Sequence, residues 1–212
     1  MYKLFAPLVA VASLGLATAS NAAITISVDS GNLDAFSYTV NETTRTIDIY
    51  ETWGTGTGPT VDLLIEGWPY GLGSWTVNKY VTNNTGVTWH SFSNELLQSD
   101  KSWSPNTDGL SFAQLGIPER PRSSDLFAQV FADELPYRDY LNFFDGSVAN
   151  GQEVFLTFGL TNRRDTDATN PFYLRQTAPV PEPAIWALLI SGFGLVGISL
   201  RRRRETPGRV NA

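Results

Sequence analysis

The sequence has no cysteine, a single histidine and few basic residues between its two ends. Without cysteine there is no lipoprotein acylation site, no disulfide framework and no thiol nucleophile. One histidine, His90, cannot build a Cys-His pair or a multi-histidine zinc site, and it argues against a Ser-His-Asp triad. His90 lies beside Trp89 in an alternating segment, so we interpret it as structural. These absences predict a protein that is not an enzyme and has no catalytic or cofactor-binding residues.

Positive charge is scarce in the middle of the chain. Residues 23–178 contain nine of the 15 Lys and Arg but 19 of the 21 Asp and Glu, which gives a net charge close to −10. Such a surface argues against nucleic acid as a partner, and against direct ionic contact with anionic lipid or polysaccharide. Divalent cations could still bridge it to anionic polymers.

The first residues have the pattern of a secretory signal peptide. Lys3 provides a minimal positive region, and residues 4–19 are almost wholly apolar. Small residues follow, which predicts cleavage between Ala22 and Ala23. We therefore assign residues 1–22 to the signal peptide and expect residues 23–178 to be one exported domain.

A second targeting pattern lies at the other end, where a Pro-rich motif leads into 17 uncharged residues, 184–200, and then into an arginine cluster. As a helix this stretch spans about 25 Å, slightly short of the roughly 30 Å hydrocarbon core, and arginine stems can cover the difference. Arginines resist transfer across a bilayer, so they stay cytoplasmic and the preceding domain lies outside. The residues that define the pattern are Val180, Pro181, Glu182, Pro183, Trp186, Arg201, Arg202, Arg203 and Arg204.

This order of parts resembles the PEP-CTERM sorting signal. The resemblance implies export in a Gram-negative bacterium, an inner-membrane intermediate, recognition by a membrane-embedded exosortase and cleavage near residues 181–183. It also implies release or attachment at the cell surface, in the company of exopolysaccharide and biofilm matrix. Residues 179–212 then form the sorting signal, with its motif at 180–183, a transmembrane helix at 184–200 and a basic tail at 201–212.

Two other interpretations apply to the same helix. It can be a plain C-terminal membrane anchor that is never cut. Its glycines also spell G-x-G-x-x-G at 192–197. A dinucleotide site needs a strand before that motif and a full helix after it, whereas here the arginine cluster follows almost at once. No nucleotide cofactor is expected.

Short alternating segments separated by turn formers predict an all-β fold for residues 23–178. No long segment has a 3.6-residue period, so we expect a single β-sandwich of jelly-roll or Ig-like type. Asn83-Asn84-Thr85-Gly86 predicts a hairpin turn, residues 96–121 a long surface excursion, and residues 123–135 either a helix capped by Asp125 or a strand. The expected strands are 24–28, 36–40, 46–53, 60–66, 74–81, 87–97, 126–132, 140–144, 153–160 and 172–176.

Acidic residues provide two candidate sites. Paired carboxylates hydrolyse glycosides without histidine, and the candidates are Glu51, Glu66, Glu95, Glu134 and Glu153. Asp165-x-Asp167-x-Thr169 resembles the start of a calcium loop, but Asn170 and Gln176 replace the glycine and glutamate of an EF-hand. A looser calcium site there, or one around Asp133, Glu134, Asp139 and Asp145, stays open; otherwise these acids are solvated turns and no metal is expected.

Aromatic residues provide the third candidate site. Six tryptophans are many for this length, and Trp53, Trp68 and Trp103 stand beside loops that contain Gly or Pro. Such rings can stack on sugars, or they can fill the core, each burying some 150–250 Å².

The sequence as a whole predicts an exported surface or extracellular-matrix protein, structural or adhesive in an exopolysaccharide biofilm. Exosortase is its predicted partner, the membrane holds it before processing, and exopolysaccharide is a candidate ligand. The alternatives are a lectin-like carbohydrate-binding module and a carboxylate-dependent glycoside hydrolase.

Overall fold

A computed structural model of the chain describes residues 23–69, 73–105, 107–112, 122–135, 138–164 and 171–178. The predicted signal peptide and sorting signal lie outside these residues, and their boundaries stay predictions. These described residues contain no helix with the length and apolar character that crossing a membrane requires.

Twelve strands make up the regular structure of the described residues. They are β1 (Thr25–Ser30), β2 (Leu33–Asn41), β3 (Thr46–Trp53), β4 (Thr60–Glu66), β5 (Trp75–Asn83), β6 (Trp89–Leu97), β7 (Leu110–Ser111), β8 (Ser123–Ser124), β9 (Phe127–Leu135), β10 (Arg138–Val148), β11 (Gln152–Asn162) and β12 (Phe172–Thr177).

The strands form two sheets that enclose one core, as in a β-sandwich. Sheet 1 has the order β1-β4-β12-β6-β10-β9; sheet 2 has the order β2-β3-β5-β11-β7, with β8 also paired to β11. Neighbouring strands are antiparallel except β3 and β5, which are parallel. The prediction of an all-β, two-sheet fold is confirmed; the choice between jelly roll and Ig-like stays a prediction.

Alternation explains which side chains fill the space between the sheets. On β3, Ile47, Ile49 and Trp53 point inward and are buried, because every second residue faces the same side of a strand. Trp53 of sheet 2 packs edge-on against Trp89 and Phe92 of sheet 1, each with its ring centre 5.5 Å away. These aromatic contacts join the two layers.

All ten predicted strands occur, eight of them with ends shifted by a few residues, whereas the sequence pattern does not predict β7 and β8. Each of these two is only two residues long, too short to show a period of two. Of the two structures predicted for residues 123–135, the strand is correct, since β8 and β9 occupy that segment.

The predicted hairpin at Asn83–Gly86 is wrong. β5 belongs to sheet 2 and β6 to sheet 1, so this turn carries the chain from one sheet to the other. Gly86 has the expected positive φ of 86°. The Asn83 amide donates to the carbonyls of Val87 and Val148 at 2.8 and 2.9 Å, and it accepts from the Thr85 N–H at 3.0 Å. Turn chemistry alone could not tell a corner from a hairpin.

The predicted surface excursion at 96–121 is wrong in part. β6 ends at Leu97, as the predicted strand 87–97 does, and inside the predicted excursion β7 pairs with β11. Leu96, Leu97, Leu110 and Phe112 are all buried. Scattered apolar residues in a polar, Pro-containing segment do not reveal such burial; residues 113–121 lie outside the described part.

Candidate binding face

The outer face of sheet 2 presents three parallel rows of side chains. Cross-strand register defines them, since partners on neighbouring strands point to the same side. The aromatic row is Ser37, Tyr50, Tyr80 and Phe155; the polar row is Thr39, Asp48, Asn78 and Thr157; the threonine row is Ala35, Thr52, Thr82 and Glu153.

The aromatic row forms a continuous series of ring contacts over three strands. The Tyr50 and Tyr80 rings are nearly parallel, 9° apart in plane, with centres 4.8 Å apart, and the Phe155 ring lies 5.1 Å beyond Tyr80. The first distance equals the spacing between neighbouring strands. Each tyrosine therefore covers one face of the other ring, and Tyr50 keeps its second face open towards β2. Its exposed fraction is 42%.

A shallow depression of about 160 Å³ lies beside that ring and follows the threonine row from β2 to β11. Its lining includes Ala35, Ser37, Tyr50, Thr52, Tyr80, Thr82 and Glu153. Ala35 and Ser37 are exposed and small, so the edge strand β2 leaves space where a larger residue would cover the ring. The depression thus combines an aromatic wall with hydroxyl groups and a carboxylate.

Hydrogen bonds fix the polar row. Asn78 donates to Asp48 at 2.8 Å and accepts from the Thr157 hydroxyl at 2.8 Å, and Thr39 donates to the other Asp48 oxygen at 3.3 Å. Desolvation, together with the negative charge of Asp48 and the nearby Tyr50 and Glu153, raises the pKa of Tyr80. Its phenol therefore keeps its proton at neutral pH and can donate a hydrogen bond.

The tryptophans predicted as sugar platforms separate into two groups. Trp53 and Trp68 are 0% and 2% exposed and belong to the core, so neither can stack on a ligand. Trp103 is 57% exposed and bridges to Leu97. Proximity to a loop that contains Gly or Pro does not predict exposure, because a side chain beside a loop can still point into the core.

The sequence nevertheless holds a signal for the aromatic row. Asp48-x-Tyr50-x-Thr52 and Asn78-x-Tyr80-x-Thr82 repeat one pattern on outward positions of β3 and β5. Because these strands are parallel and in register, equal patterns become adjacent rows. The parallel pairing, which a sequence does not display, is what gives the repeat its meaning.

The candidate glycosidase carboxylates whose side chains are described lie on different faces or far apart. Glu51 is buried in the core, Glu153 is exposed on sheet 2, and the side chain of Glu134 is outside the described part. Glu66 and Glu95 share the outer face of sheet 1 but are separated by two strands and four positions. That separation is roughly 16 Å between backbones, beyond the range of a glycosidase pair. Burial raises the pKa of Glu95, against the opposing charges of Arg138 and Arg175.

The remaining predicted site residues come together only in part: the backbones of Glu134 on β9 and Asp139 on β10 are register partners, whereas His90 and Asp145 lie elsewhere. His90 is exposed on β6. On β10, Asp139 is fully buried in register with Leu96, while Asp145 is exposed six residues further along. The Asp165–Asn170 segment and the side chains of Asp133 and Glu134 are outside the described part. Among described residues, no group of three or more His, Cys, Asp or Glu side chains could hold a metal ion.

The described residues define the class of protein: it is a two-sheet β domain whose outer face carries aromatic rings and hydroxyl groups. Residues 179–204, which follow it, match the family model described as the PEP-CTERM protein-sorting motif. The predicted sorting signal is thereby confirmed, and it implies export to the cell surface and processing by exosortase. No curated protein and no solved structure matches the chain.

Proposed function

We propose that this protein is a non-catalytic, adhesive component of the cell surface or extracellular matrix, and that its exported domain binds neutral polysaccharide on the outer face of sheet 2. The sorting motif supports delivery to the surface. The open face of Tyr50 beside the hydroxyl-lined depression is the observation that carries the ligand class.

Sugar rings suit this face for two physical reasons. Their apolar C–H faces bury area against an aromatic ring, and their hydroxyls exchange hydrogen bonds with Thr, Ser and Tyr hydroxyls. Asp48 and Glu153 lie on the same face, and the domain as a whole is acidic. An uncharged polymer therefore avoids the repulsion that an anionic one would meet.

The delivery step is tested by replacing Pro181, Glu182 and Pro183 with alanine in the full chain. We expect the variant to stay in the membrane fraction at its unprocessed mass, while the wild-type chain is shortened and reaches the surface or medium. Equal processing of both proteins would contradict the role of the motif.

The ligand is tested with the mature domain, residues 23–178, on immobilised neutral polysaccharides and on an anionic one. We expect retention on at least one neutral polymer and none on the anionic polymer. Tyr50→Ala should weaken binding about tenfold, because losing one aromatic contact costs on the order of 1–2 kcal/mol. Trp103→Ala, an exposed aromatic on another part of the domain, is the matched control and should bind as the wild type does. No retention on any neutral polymer would contradict the proposal.

A further inference from the structure

The core contains a cluster of polar side chains, which we call the core polar cluster: Glu51, Lys79, Asn94 and Gln176. Glu51 is 3% exposed and the other three are 0% exposed. Glu51 and Lys79 lie on β3 and β5 of sheet 2, whereas Asn94 and Gln176 are register partners on β6 and β12 of sheet 1. The cluster therefore spans the space between the two sheets.

One carboxylate oxygen holds an amine and an amide together. Glu51 Oε1 lies 3.3 Å from Lys79 Nζ and accepts a hydrogen bond from Gln176 Nε2 at 2.9 Å. The other oxygen, Oε2, accepts from Trp53 Nε1 at 3.1 Å. Phe92 lies beside the amine, with its ring centre 5.1 Å from Nζ. The amine and the amide nitrogen thus share a single acid–base group in a buried site beside aromatic rings.

With noncovalent contacts alone, this arrangement leaves buried polar atoms without hydrogen-bond partners. The Lys79 amine makes no aligned hydrogen bond, and Gln176 Oε1 has no hydrogen-bond partner among the described residues. Buried ions and unpaired polar atoms destabilise a fold, and an ion pair seldom compensates for its own desolvation. Burial also lowers the pKa of Lys79 to about 8, so that a neutral, nucleophilic amine is accessible near physiological pH.

We propose that Lys79 and Gln176 become joined after folding by an amide bond between their side chains, which links sheet 2 to sheet 1. In this step Lys79 Nζ attacks Gln176 Cδ, the Nζ–Cδ bond forms and the Cδ–Nε2 bond breaks. Glu51 takes a proton from Nζ and passes one to Nε2, which leaves as ammonia. When Lys79 starts as an ammonium group, the net products are the new amide and one ammonium ion, and Glu51 ends as the carboxylate that it was at the start. No oxidant or other co-reactant takes part.

The roles follow from the contacts. Glu51 is a catalytic residue in this step, since it touches both the attacking and the departing nitrogen, as general acid–base catalysis requires. Trp53 donates to the opposite oxygen and positions the carboxylate. The bond would give a cysteine-free exported domain a covalent staple of the kind that disulfides provide elsewhere.

The intact mass of the purified wild-type chain tests the proposal directly. We expect a mass lower than the sequence mass of the processed protein by one ammonia, and a branched peptide after proteolysis that joins the segments around Lys79 and Gln176. Succinimide formation at Asn150-Gly151 would cause the same loss of mass but joins no two peptides, so the branched peptide is decisive. A folded wild-type protein without it overturns the proposal.

Variants assign the roles. Lys79→Met and Gln176→Leu should show the full mass, and Glu51→Gln should show it while staying folded, because it cannot relay the proton. Asn94→Leu is the matched control from the same cluster and should keep the branched peptide. A linkage that forms in Glu51→Gln, or one that maps to Asn94, contradicts the assignment. The presence or absence of the branched peptide in the wild-type chain decides the matter even where a core variant fails to fold.

Discussion

Arg175 on β12 binds Asp62 on β4 with two parallel hydrogen bonds, from Nε to Oδ1 at 2.8 Å and from a terminal nitrogen to Oδ2 at 3.0 Å. The two residues are cross-strand partners on the outer face of sheet 1. The Asp62 side chain is 3% exposed and that of Arg175 is 32% exposed. This fork-to-fork geometry fixes the pair more firmly than an ordinary surface ion pair.

Asp62→Asn should destabilise the domain at neutral pH and make its stability less sensitive to acid. Burial alone would raise the pKa of Asp62, but the hydrogen bonds and charge of Arg175, with help from Ser30 and Lys101, lower it below its ordinary value of 3.8. As the pH falls, the Asp62 carboxylate is protonated in the unfolded chain before it is protonated in the folded chain. The stabilisation is therefore present above pH 3.8 and is lost as the pH falls through the lower pKa that Asp62 has in the folded chain.

Denaturant unfolding across that pH range measures the effect. We expect Asp62→Asn to lose about 1.5–3 kcal/mol at pH 7, and the difference from wild type to shrink as the pH falls below the ordinary aspartate range. Glu42→Gln, at an exposed turn residue, is the control and should change little. A constant difference at all pH values would show that the Asp62 charge has no part in the stability.

Two tryptophans beside loops should respond very differently to truncation. Trp68 packs against Trp75 and Phe172 with ring centres 5.4 and 5.6 Å away, so Trp68→Ala leaves a large cavity. We expect a loss of about 3–5 kcal/mol in the free energy of unfolding, and a much smaller one for the exposed Trp103→Ala. Equal losses would contradict the inward placement of Trp68.

Alternation made the strands of this domain predictable. β3 and β4 have the predicted ends, because Ile47 and Ile49 alternate with polar residues and Gly or Pro follows. The sheet to which each strand belongs could not be predicted. The turn after Asn83 has the same chemistry in a hairpin and in a corner, and only long-range pairing separates the two.

The candidate sites could not be predicted from the sequence for the same reason. Period-two patterns predict which residues share a face of one strand but not which strands are neighbours. Tyr50 and Tyr80 are 30 residues apart and meet through the parallel pairing of β3 and β5. Glu51 and Lys79 follow the alternation inward, although their charge suggested solvent. In both cases the pairing of distant segments decides what the side chain meets.

Two glycines in exposed loops provide a matched pair for backbone strain. A Cβ at either Gly86 or Gly56 would meet no atom within 4 Å, but only Gly86 has a left-handed φ, at 86°. We expect Gly86→Ala to lose about 1 kcal/mol, and Gly56→Ala to be neutral or slightly stabilising. Thermal unfolding compares the two variants, and an equal response would mean that the corner at residues 83–86 tolerates another backbone conformation.

Filling the depression should abolish polysaccharide binding without harming the fold. Ser37 is exposed on the edge strand β2, directly across from Tyr50, so Ser37→Tyr would cover the open face of that ring. The new cross-strand aromatic pair should leave stability unchanged or raise it by about 0.2–1 kcal/mol. Thr39→Tyr adds the same bulk one row away, beside Asp48, and should still bind. Retention on the neutral polymer measures both variants. Undiminished binding by Ser37→Tyr would mean that the sugar lies elsewhere, because no ligand could then reach the Tyr50 ring from the side of β2.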